Sequence, residues 1–461
     1  MHPFKTIPSL PTALIANLET LGYQTMTEIQ AETIPVALSG KDLIVQAKTG
    51  SGKTAAFGIP LILKIDTEIR DPQVLIITPT RELADQVGRE LRRLARYREN
   101  LKIATLTGGV PMRGQISSLQ KGAHIVVGTP GRLQDHLSRD TLPLYGVRTL
   151  VLDEADRMLE MGFQAELDKI FGQLPNQYQT LLFSATYPEQ IEIIAKHIMT
   201  QPVRVQVAST HDDGVIRQHF YPVNDHKQRL TALRLLLMQH RPESTVIFCN
   251  TKQDVRNVAA ELQSYGFSVL ALHGDLEQSD REQILVRFSN NSASVLVATD
   301  VAARGLDIDA LDAVFNYHIA RDAEVYIHRI GRTGRAGSKG IACSLYANKE
   351  SYKMALLEEY LGKRIAGEPL PPINLLDKSP LQPLMATLQI NGGKKQKVRP
   401  GDILGALTGD NGISGKQVGK IDIFDNRAYV AVHQTVVKAA LKKLIEGTLK
   451  GRSVKARQIQ N

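Results

Sequence analysis

The sequence predicts an α/β protein: two tandem parallel-sheet domains followed by a small α+β domain. Two observations carry this. Through residue 366, short apolar runs rich in β-branched residues alternate with amphipathic helical stretches, and strands alternating with helices imply parallel sheets. Beyond residue 383 the order changes to strand, helix, strand, strand, helix, strand, and the charge balance changes with it.

The first block, 1–208, offers strands at 42–46, 74–78, 103–106, 124–128, 149–153 and 180–184, and an amphipathic helix at 82–96. A polar stretch then breaks the pattern and predicts a hinge at 209–217. The second block, 218–366, repeats the alternation, with strands at 244–249, 268–272, 294–299, 313–317 and 340–346. The two blocks are alike in pattern but not in residue-by-residue identity. A proline-containing linker, 367–383, predicts a stiff segment that joins neither neighbour. In the last block, 384–461, strands are expected at 386–391, 419–424, 428–432 and 453–459, with helices at 400–407 and 435–445.

Of the 461 residues, 43% are apolar and 22% charged, which is enough for a core in each domain. No run of roughly 18 apolar residues occurs, so no membrane-spanning helix is expected. Residues 1–10 lack the basic-then-apolar layout of a secretion signal. Cys249 and Cys343 lie far apart in apolar runs and read as buried thiols in a reducing, cytoplasmic compartment. The formal net charge is +9, and all of it lies in the last 78 residues. There 14 Lys and Arg face 5 Asp and Glu, while the remainder holds 42 of each sign. Such asymmetry suggests a surface for a polyanion, a solvated tail being the plainer alternative.

Three motifs carry chemistry. Ala47-Lys48-Thr49-Gly50-Ser51-Gly52-Lys53-Thr54 follows a strand and opens a helix, as a phosphate-binding loop requires. Small residues let backbone N–H groups cradle phosphate oxygens, Lys53 can reach the β and γ phosphates, and Thr54 can ligate Mg²⁺. Alone, a Gly-Lys-Thr turn also occurs in proteins that bind no nucleotide. Asp153-Glu154-Ala155-Asp156 ends the apolar strand that begins at Thr149. A carboxylate there suits Mg²⁺, with Glu154 placed to orient an attacking water; acidic clusters are otherwise ordinary solvated turns. In His328-Arg329-Ile330-Gly331-Arg332-Thr333-Gly334-Arg335, Arg332 and Arg335 are spaced to face one site, and planar guanidinium groups suit γ-phosphoryl charge. They fall in the second block, so ATP held between the blocks would draw ligands from both.

These motifs belong to an ordered series. It runs through Gly22-Tyr23 to Gln30, the phosphate loop, Pro79-Thr80-Arg81-Glu82-Leu83-Ala84, Gly108-Gly109, Thr129-Pro130-Gly131-Arg132, the acidic motif and Ser184-Ala185-Thr186. In the second block it continues through Phe248 to Thr251, Gln278 to Arg281, Ala303-Arg304-Gly305-Leu306-Asp307 and His328 to Arg335. In this series the sequence resembles the DEAD-box helicases from Phe4 to about Tyr346. The resemblance implies two RecA-like domains, RNA-stimulated ATPase activity and RNA unwinding, with ATP and Mg²⁺ as cofactors. It implies that Phe4 and Tyr23 flank the adenine and that Gln30 hydrogen-bonds its edge. Ala47 through Thr54 would bind phosphates, and Thr54, Asp153 and Glu154 would serve the metal and water. Asp307, Arg332 and Arg335 would approach ATP from the second block, while Ser184 and Thr186 would couple nucleotide to RNA. The adenine motif usually carries two prolines; Met26 and Glu28 stand there. RNA is expected on a face opposite the nucleotide, contacted by Arg81, Gly108, Gly109, Thr129, Gly131 and Arg132, and by Thr251, Gln278, Arg281 and Thr299. Such a motor would touch backbone and 2′-OH groups rather than read sequence.

The order of elements in the last block resembles the RNA-recognition (RRM-like) fold. Its sheet motifs are incomplete: Gln389, Arg427 and Val432 stand where aromatic residues are usual, which predicts poor base stacking around Tyr429. The basic residues cluster elsewhere, at Lys394, Lys395, Lys397 and Arg399 and at Lys450, Arg452, Lys455 and Arg457, which predicts RNA contacts on loops and strand edges. The segment 390–410 resembles the bacterial DbpA-type subgroup. That implies a hairpin of large-subunit (23S) ribosomal RNA and pre-50S particles as partners, in ribosome assembly, with the protein acting as a cytoplasmic monomer without membrane or DNA. A DNA helicase would carry different motor motifs. A non-catalytic RNA clamp would lack Glu154 or an arginine finger, and both are present.

Overall fold

A parallel strand with helices on both faces has no wet side, so its sequence reads as an unbroken apolar run. Val74–Ile77 and Ile125–Gly128 are such runs, buried at every position. The computed structural model describes residues 2–47, 51–187, 189–206, 216–303, 311–334, 339–409, 412–449 and 451–459. They fall into two compact units, one up to residue 206 and one from 216 onward.

The first unit is a RecA-like domain whose seven strands are all parallel. They are β1 (Leu43–Gln46), β2 (Val74–Ile77), β3 (Ile103–Leu106), β4 (Ile125–Gly128), β5 (Thr149–Asp153), β6 (Gln179–Ser184) and β7 (Val203–Gln206), in the order β3-β4-β2-β5-β6-β1-β7. Apolar clusters cover both faces: Phe57, Val87 and Leu91 on one, Leu133, Met158 and Ile170 on the other.

The second unit holds two sheets. The first is parallel: β8 (Ile216–Val223), β9 (Thr245–Cys249), β10 (Val269–Leu272), β11 (Val295–Thr299), β12 (Ala313–Asn316) and β13 (Gly340–Ala347), ordered β10-β11-β9-β12-β13-β8. Strand for strand this matches β3-β4-β2-β5-β6-β1, so the likeness of pattern between the blocks is a likeness of topology. Cys249 and Cys343 are both buried thiols in this core. The C-terminal sheet is antiparallel: β14 (Met385–Ile390), β15 (Val418–Ile423), β16 (Ala428–His433) and β17 (Ala456–Gln458), ordered β15-β16-β14-β17. Its inward row, Ala386, Leu388, Ile390, Ala428, Val430 and Val432, packs with Ile403, Leu407, Ala440 and Leu444 of two helices. No described helix is long and apolar enough to cross a membrane.

The structure departs from the sequence reading in three places. β7 and β8 were not expected; both are sheet edges, and β8 is polar and carries Pro222, which an edge strand tolerates. The expected hinge lies mostly outside the described residues, and its last two positions, Ile216 and Arg217, already belong to β8. The linker does join a neighbour. The Glu368 N–H donates to Phe220 O at 2.8 Å, His219 Nδ1 lies 2.9 Å from the Glu368 carboxylate, and Leu370, Leu375 and Leu376 pack on the second core. The prolines stiffen the segment without keeping it from packing.

One buried ion pair closes the second parallel domain. Arg229 donates to Tyr317 O, Leu345 O and the Glu350 carboxylate, which also accepts from the Ala347 N–H. Burial pushes the Glu350 carboxyl up. The Arg229 hydrogen bond, the Ala347 N–H and the Arg229 charge outweigh it and hold it below the usual range. A depressed carboxylate stabilises the fold above its unfolded pKa, and that stability is lost as pH falls through the folded pKa. Arg229→Ala strands the carboxylate and should cost about 3–5 kcal/mol. Urea unfolding at pH 7 should show this loss, and the variant's stability should change less than wild type's on acidification below pH 4.5.

Candidate active site

Polar side chains in the first unit gather where the strands end. The register sets Gln46 beside Ser184 and Asp153 beside Phe183, so the ends of β1, β6 and β5 adjoin. The phosphate loop continues from β1 into the helix Lys53–Lys64; Lys48, Thr49 and Gly50 lie outside the described residues. Gly52 has φ +93°, and a Cβ there would meet Gln30 Nε2 at 2.5 Å, so glycine is required on both counts. Gln30 is tied to this loop: its Nε2 donates to Gly52 O at 3.2 Å, and its Oε1 accepts from Thr27 N at 3.0 Å in a capping box. Thr27 adds a hydroxyl bond to Ser51 O at 2.9 Å. Phe4 and Tyr23 meet edge to face at 6.3 Å, and the Tyr23 hydroxyl donates to Glu90 at 2.8 Å. Met26, in a position usual for proline, is buried in the core, and Glu28 opens the helix Glu28–Leu38.

Lys53 is 7% exposed and Asp153 3%. Among the described residues, neither Lys53 Nζ nor Asp153 Oδ1 has a hydrogen-bond partner. Burial pushes the Asp153 carboxyl up to about 6 against the opposing pull of the Lys53 ammonium, with Glu154 raising it further. Buried charges left with open bonding capacity fit a ligand that brings both phosphate oxygens and a cation. Among the described residues no group of three or more His, Cys, Asp or Glu could hold a metal alone. Glu154 has φ +54°, uncommon for a non-glycine residue, and its carboxylate sits 3.4 Å from Arg157 Nε.

The sequence reading missed Asp156. Its Oδ2 accepts from Ala185 N at 3.2 Å, Thr186 N at 2.9 Å and Thr186 Oγ1 at 3.0 Å, while its own N–H donates to Ser184 Oγ at 3.3 Å. The acidic motif and Ser184-Ala185-Thr186 are thus one network. The clue was the second Asp of a four-residue motif whose first two members had already been given roles.

The residues expected to meet RNA end the other half of the same sheet. Ile77, Gly128 and Leu106 are aligned in register, and Thr129 N donates to Leu106 O at 3.2 Å. Arg81 lies over Gly108, where a Cβ would come within 2.8 Å of Nη2. Arg132 donates to Val110 O at 2.9 Å and Gln115 Oε1 at 3.1 Å; Gly109 is left-handed and Gly131 faces open space. The residues expected to meet nucleotide and those expected to meet RNA therefore end neighbouring strands of one sheet, at the same carboxyl edge. The second parallel sheet repeats this placement. Thr251 follows β9 and caps the helix Lys252–Ser264, Thr299 ends β11, and Gln278 opens the helix Gln278–Ser289, from which Arg281 donates to Ala302 O at 3.3 Å. Arg332 is buried; Asp307 and Arg335 lie outside the described residues. Arg329, also missed, grips Asp300 through two bonds of 2.6 and 2.7 Å and reaches Asn316, His318 O and Asn250, tying the ends of β11, β12 and β9.

In the C-terminal domain Lys394, Lys395, Lys397 and Arg399 are exposed on the loop after β14. The loop is held by Lys394 N to Phe424 O at 2.8 Å and Lys395 N to Asp425 O at 2.9 Å. Asn391 N donates to Lys455 O at 2.9 Å, which brings the second basic group to the same end of the sheet. Arg452 is exposed in the turn before Lys455, and Lys450 lies outside the described residues. Tyr429 is buried, and Phe424 meets it edge to face at 5.6 Å, an aromatic neighbour the sequence reading did not foresee.

Comparison with known proteins agrees along the whole chain. The DEAD/DEAH box helicase family matches residues 27–194, the helicase conserved C-terminal domain matches 227–337, and the DbpA RNA binding domain matches 387–458. The chain is 50% identical to the ATP-dependent RNA helicase DbpA of Escherichia coli (strain K12) over 460 residues, all of both chains. It is 38% identical to DbpA of Bacillus subtilis (strain 168), over 96% of each. It superposes on Saccharomyces cerevisiae Dbp5 bound to RNA and ADP BeF3 with a TM-score of 0.72 and 28% identity, covering 79% of this chain and 96% of that one.

Both Asp156 oxygens accept, Oδ1 from Arg157 N and Oδ2 from three donors. Asp156→Asn therefore sets an amide N–H₂ against a donor in either orientation, loses the charge, and should cost about 1.5–3 kcal/mol of the link between the two motifs. RNA-stimulated ATPase should fall about tenfold or more while nucleotide affinity stays within about threefold. Equal losses in both would make Asp156 part of nucleotide binding instead.

Proposed function

This chain belongs to the DEAD-box ATP-dependent RNA helicases of the DbpA type, and we propose that it locally unwinds short duplexes in 23S ribosomal RNA during assembly of the large ribosomal subunit. It would act in the cytoplasm as a monomer on pre-50S particles, carried to structured RNA by its C-terminal domain.

The observation that supports the chemistry best is the buried Lys53 ammonium and Asp153 oxygen beside Gly52. Backbone N–H groups of the loop and Lys53 would hold the phosphates, and Thr54, Asp153 and Glu154 would hold Mg²⁺ and its water. Mg²⁺ would neutralise charge on the phosphate oxygens. Gln30, fixed at one end to the loop, would read the adenine edge with its amide, and a wrong base would leave that amide unpaired. Glu154 would orient the attacking water and accept its proton at a carboxylate oxygen. Arg332 and Arg335 would meet charge that grows on the γ-phosphoryl group. The Asp156 network would pass the nucleotide state to Ser184 and Thr186 and on to the adjoining RNA half of the edge, at Arg81, Gly108, Gly109, Thr129, Gly131 and Arg132. Thr251, Gln278, Arg281 and Thr299 would hold the strand from the second domain. Contacts of this kind go to phosphate and 2′-OH groups, so choice of target falls to the basic loop Lys394–Arg399 with Arg452 and Lys455.

Two measurements test this reading. Glu154→Gln should lower RNA-stimulated ATP turnover about 100-fold or more with ATP binding retained, because only the water-orienting group is lost. Turnover near the wild-type rate would remove Glu154 from that role. Replacing Lys394, Lys395 and Lys397 with alanine should flatten the salt dependence of 23S RNA binding by about two to three logarithmic units per decade of salt. An unchanged slope would place the phosphate contacts elsewhere.

A further inference from the structure

The C-terminal sheet has one face toward its own helices and one face away from them. On the second face the row Thr387, Gln389, Tyr429 and Ala431 is 1%, 4%, 2% and 1% exposed. An RNA-recognition sheet that offered this face to RNA would leave it open to solvent. At Thr387, and at Lys420 on β15, hydrogen bonds identify what meets the sheet. Thr387 Oγ1 lies 3.2 Å from Asn290 Nδ2 and 2.7 Å from Ser292 Oγ, and Lys420 Nζ donates to Ser289 Oγ at 3.1 Å. All three partners belong to the C-terminal end of the helix Gln278–Ser289 and the turn after it. The Tyr429 hydroxyl also feels the Glu282 charge from that helix. Just upstream, Gln382 Nε2 donates to Gly266 O at 2.9 Å.

We propose that the open face of the C-terminal sheet is a docking surface for the second motor domain and not for RNA. The sequence supports the assignment. Thr387 and Gln389 are polar where base-stacking aromatics would stand, and the buried Thr387 hydroxyl needs the partners that Asn290 and Ser292 supply. The contact is polar, and a cleft of about 470 Å³ runs beside it between Arg287 and His433. It therefore orients the domain without the dry packing of a permanent core. The helix that receives it begins at Gln278 and Arg281, which the proposed function gives to motor RNA contact. Roughly 16 Å of rigid helix, at 1.5 Å per residue, would join that RNA to the domain that selects the target. RNA held by the loop at Lys394–Arg399 would thus arrive at the motor in a fixed direction.

The test is a disulfide in the full chain. Ser292→Cys with Thr387→Cys replaces two hydroxyls 2.7 Å apart, near the reach of a disulfide, and the native Cys249 and Cys343 are buried. With oxidised glutathione the two thiols give up two protons and two electrons, and the glutathione disulfide is reduced to two thiols. Cross-linking should go nearly to completion and should not be slowed by ribosomal RNA. The cross-linked protein should bind that RNA within about twofold of its reduced form. The reduced double variant, with wild-type ATPase, shows that the fold is intact. On the wild type, hydroxyl-radical labelling should spare Tyr429 and mark Tyr352, which is exposed. Failure to cross-link, or labelling of Tyr429 as fast as Tyr352, overturns the docking. A cross-link that abolishes RNA binding until reduced assigns the face to RNA. Cross-linking and labelling without RNA stand independently of the ribosomal target proposed above.

Discussion

Strands buried on both faces cannot carry polar side chains along their length, because each would need a partner inside the core. This constraint organises both motor domains. Polar residues are pushed to the ends of the strands, where the chain leaves the sheet and backbone N–H groups are free. Ala47, Asp153 and Ser184 end one half of the first sheet; Thr78, Gly108 and Thr129 end the other. That the two proposed sets of site residues share one edge follows from the strand order, since β2 and β5 are neighbours at the boundary between the halves. The matching order of the second sheet puts Thr251, Thr299 and Gln278 at the equivalent ends.

Within that edge, Asp156 does what no backbone group could. One carboxylate oxygen accepts three donors from Ala185 and Thr186, so a small displacement of the acidic motif is felt at the end of β6. Lys53 and Asp153 are the converse case: buried groups held with bonding capacity unspent, and burial raises the Asp153 carboxyl. Arg329 supports the second domain in the same way that Asp156 supports the first. It lies three residues before Arg332 in a motif that, read as sequence, offers several equivalent arginines. Tertiary contacts single out Arg329, whose guanidinium bonds to Asp300, Asn250 and Asn316.

Most of the motor was legible because its signals are local. The alternation of apolar runs fixes the strands to within a residue or two, and the phosphate loop, acidic motif and arginine motif keep their spacing along the chain. β7 and β8 escaped because edge strands need only one apolar neighbour and so lose the continuous run. The linker misled because proline limits backbone hydrogen bonding but does not prevent Leu370, Leu375 and Leu376 from packing.

By itself the sequence determined the fold class, the topology of alternating units, the family and the confinement of excess positive charge to the last domain. Each of these depends on residues close in the chain or on composition. Tertiary structure alone decided that Asp156 binds Ser184-Ala185-Thr186, about thirty positions away, and that Lys455 lies beside the loop beginning at Asn391. It also decided that Thr387 and Tyr429 are covered rather than open. Periodicity reports which side of a strand a residue occupies. It does not report what is packed against that side, because the covering surface comes from a helix about a hundred residues earlier.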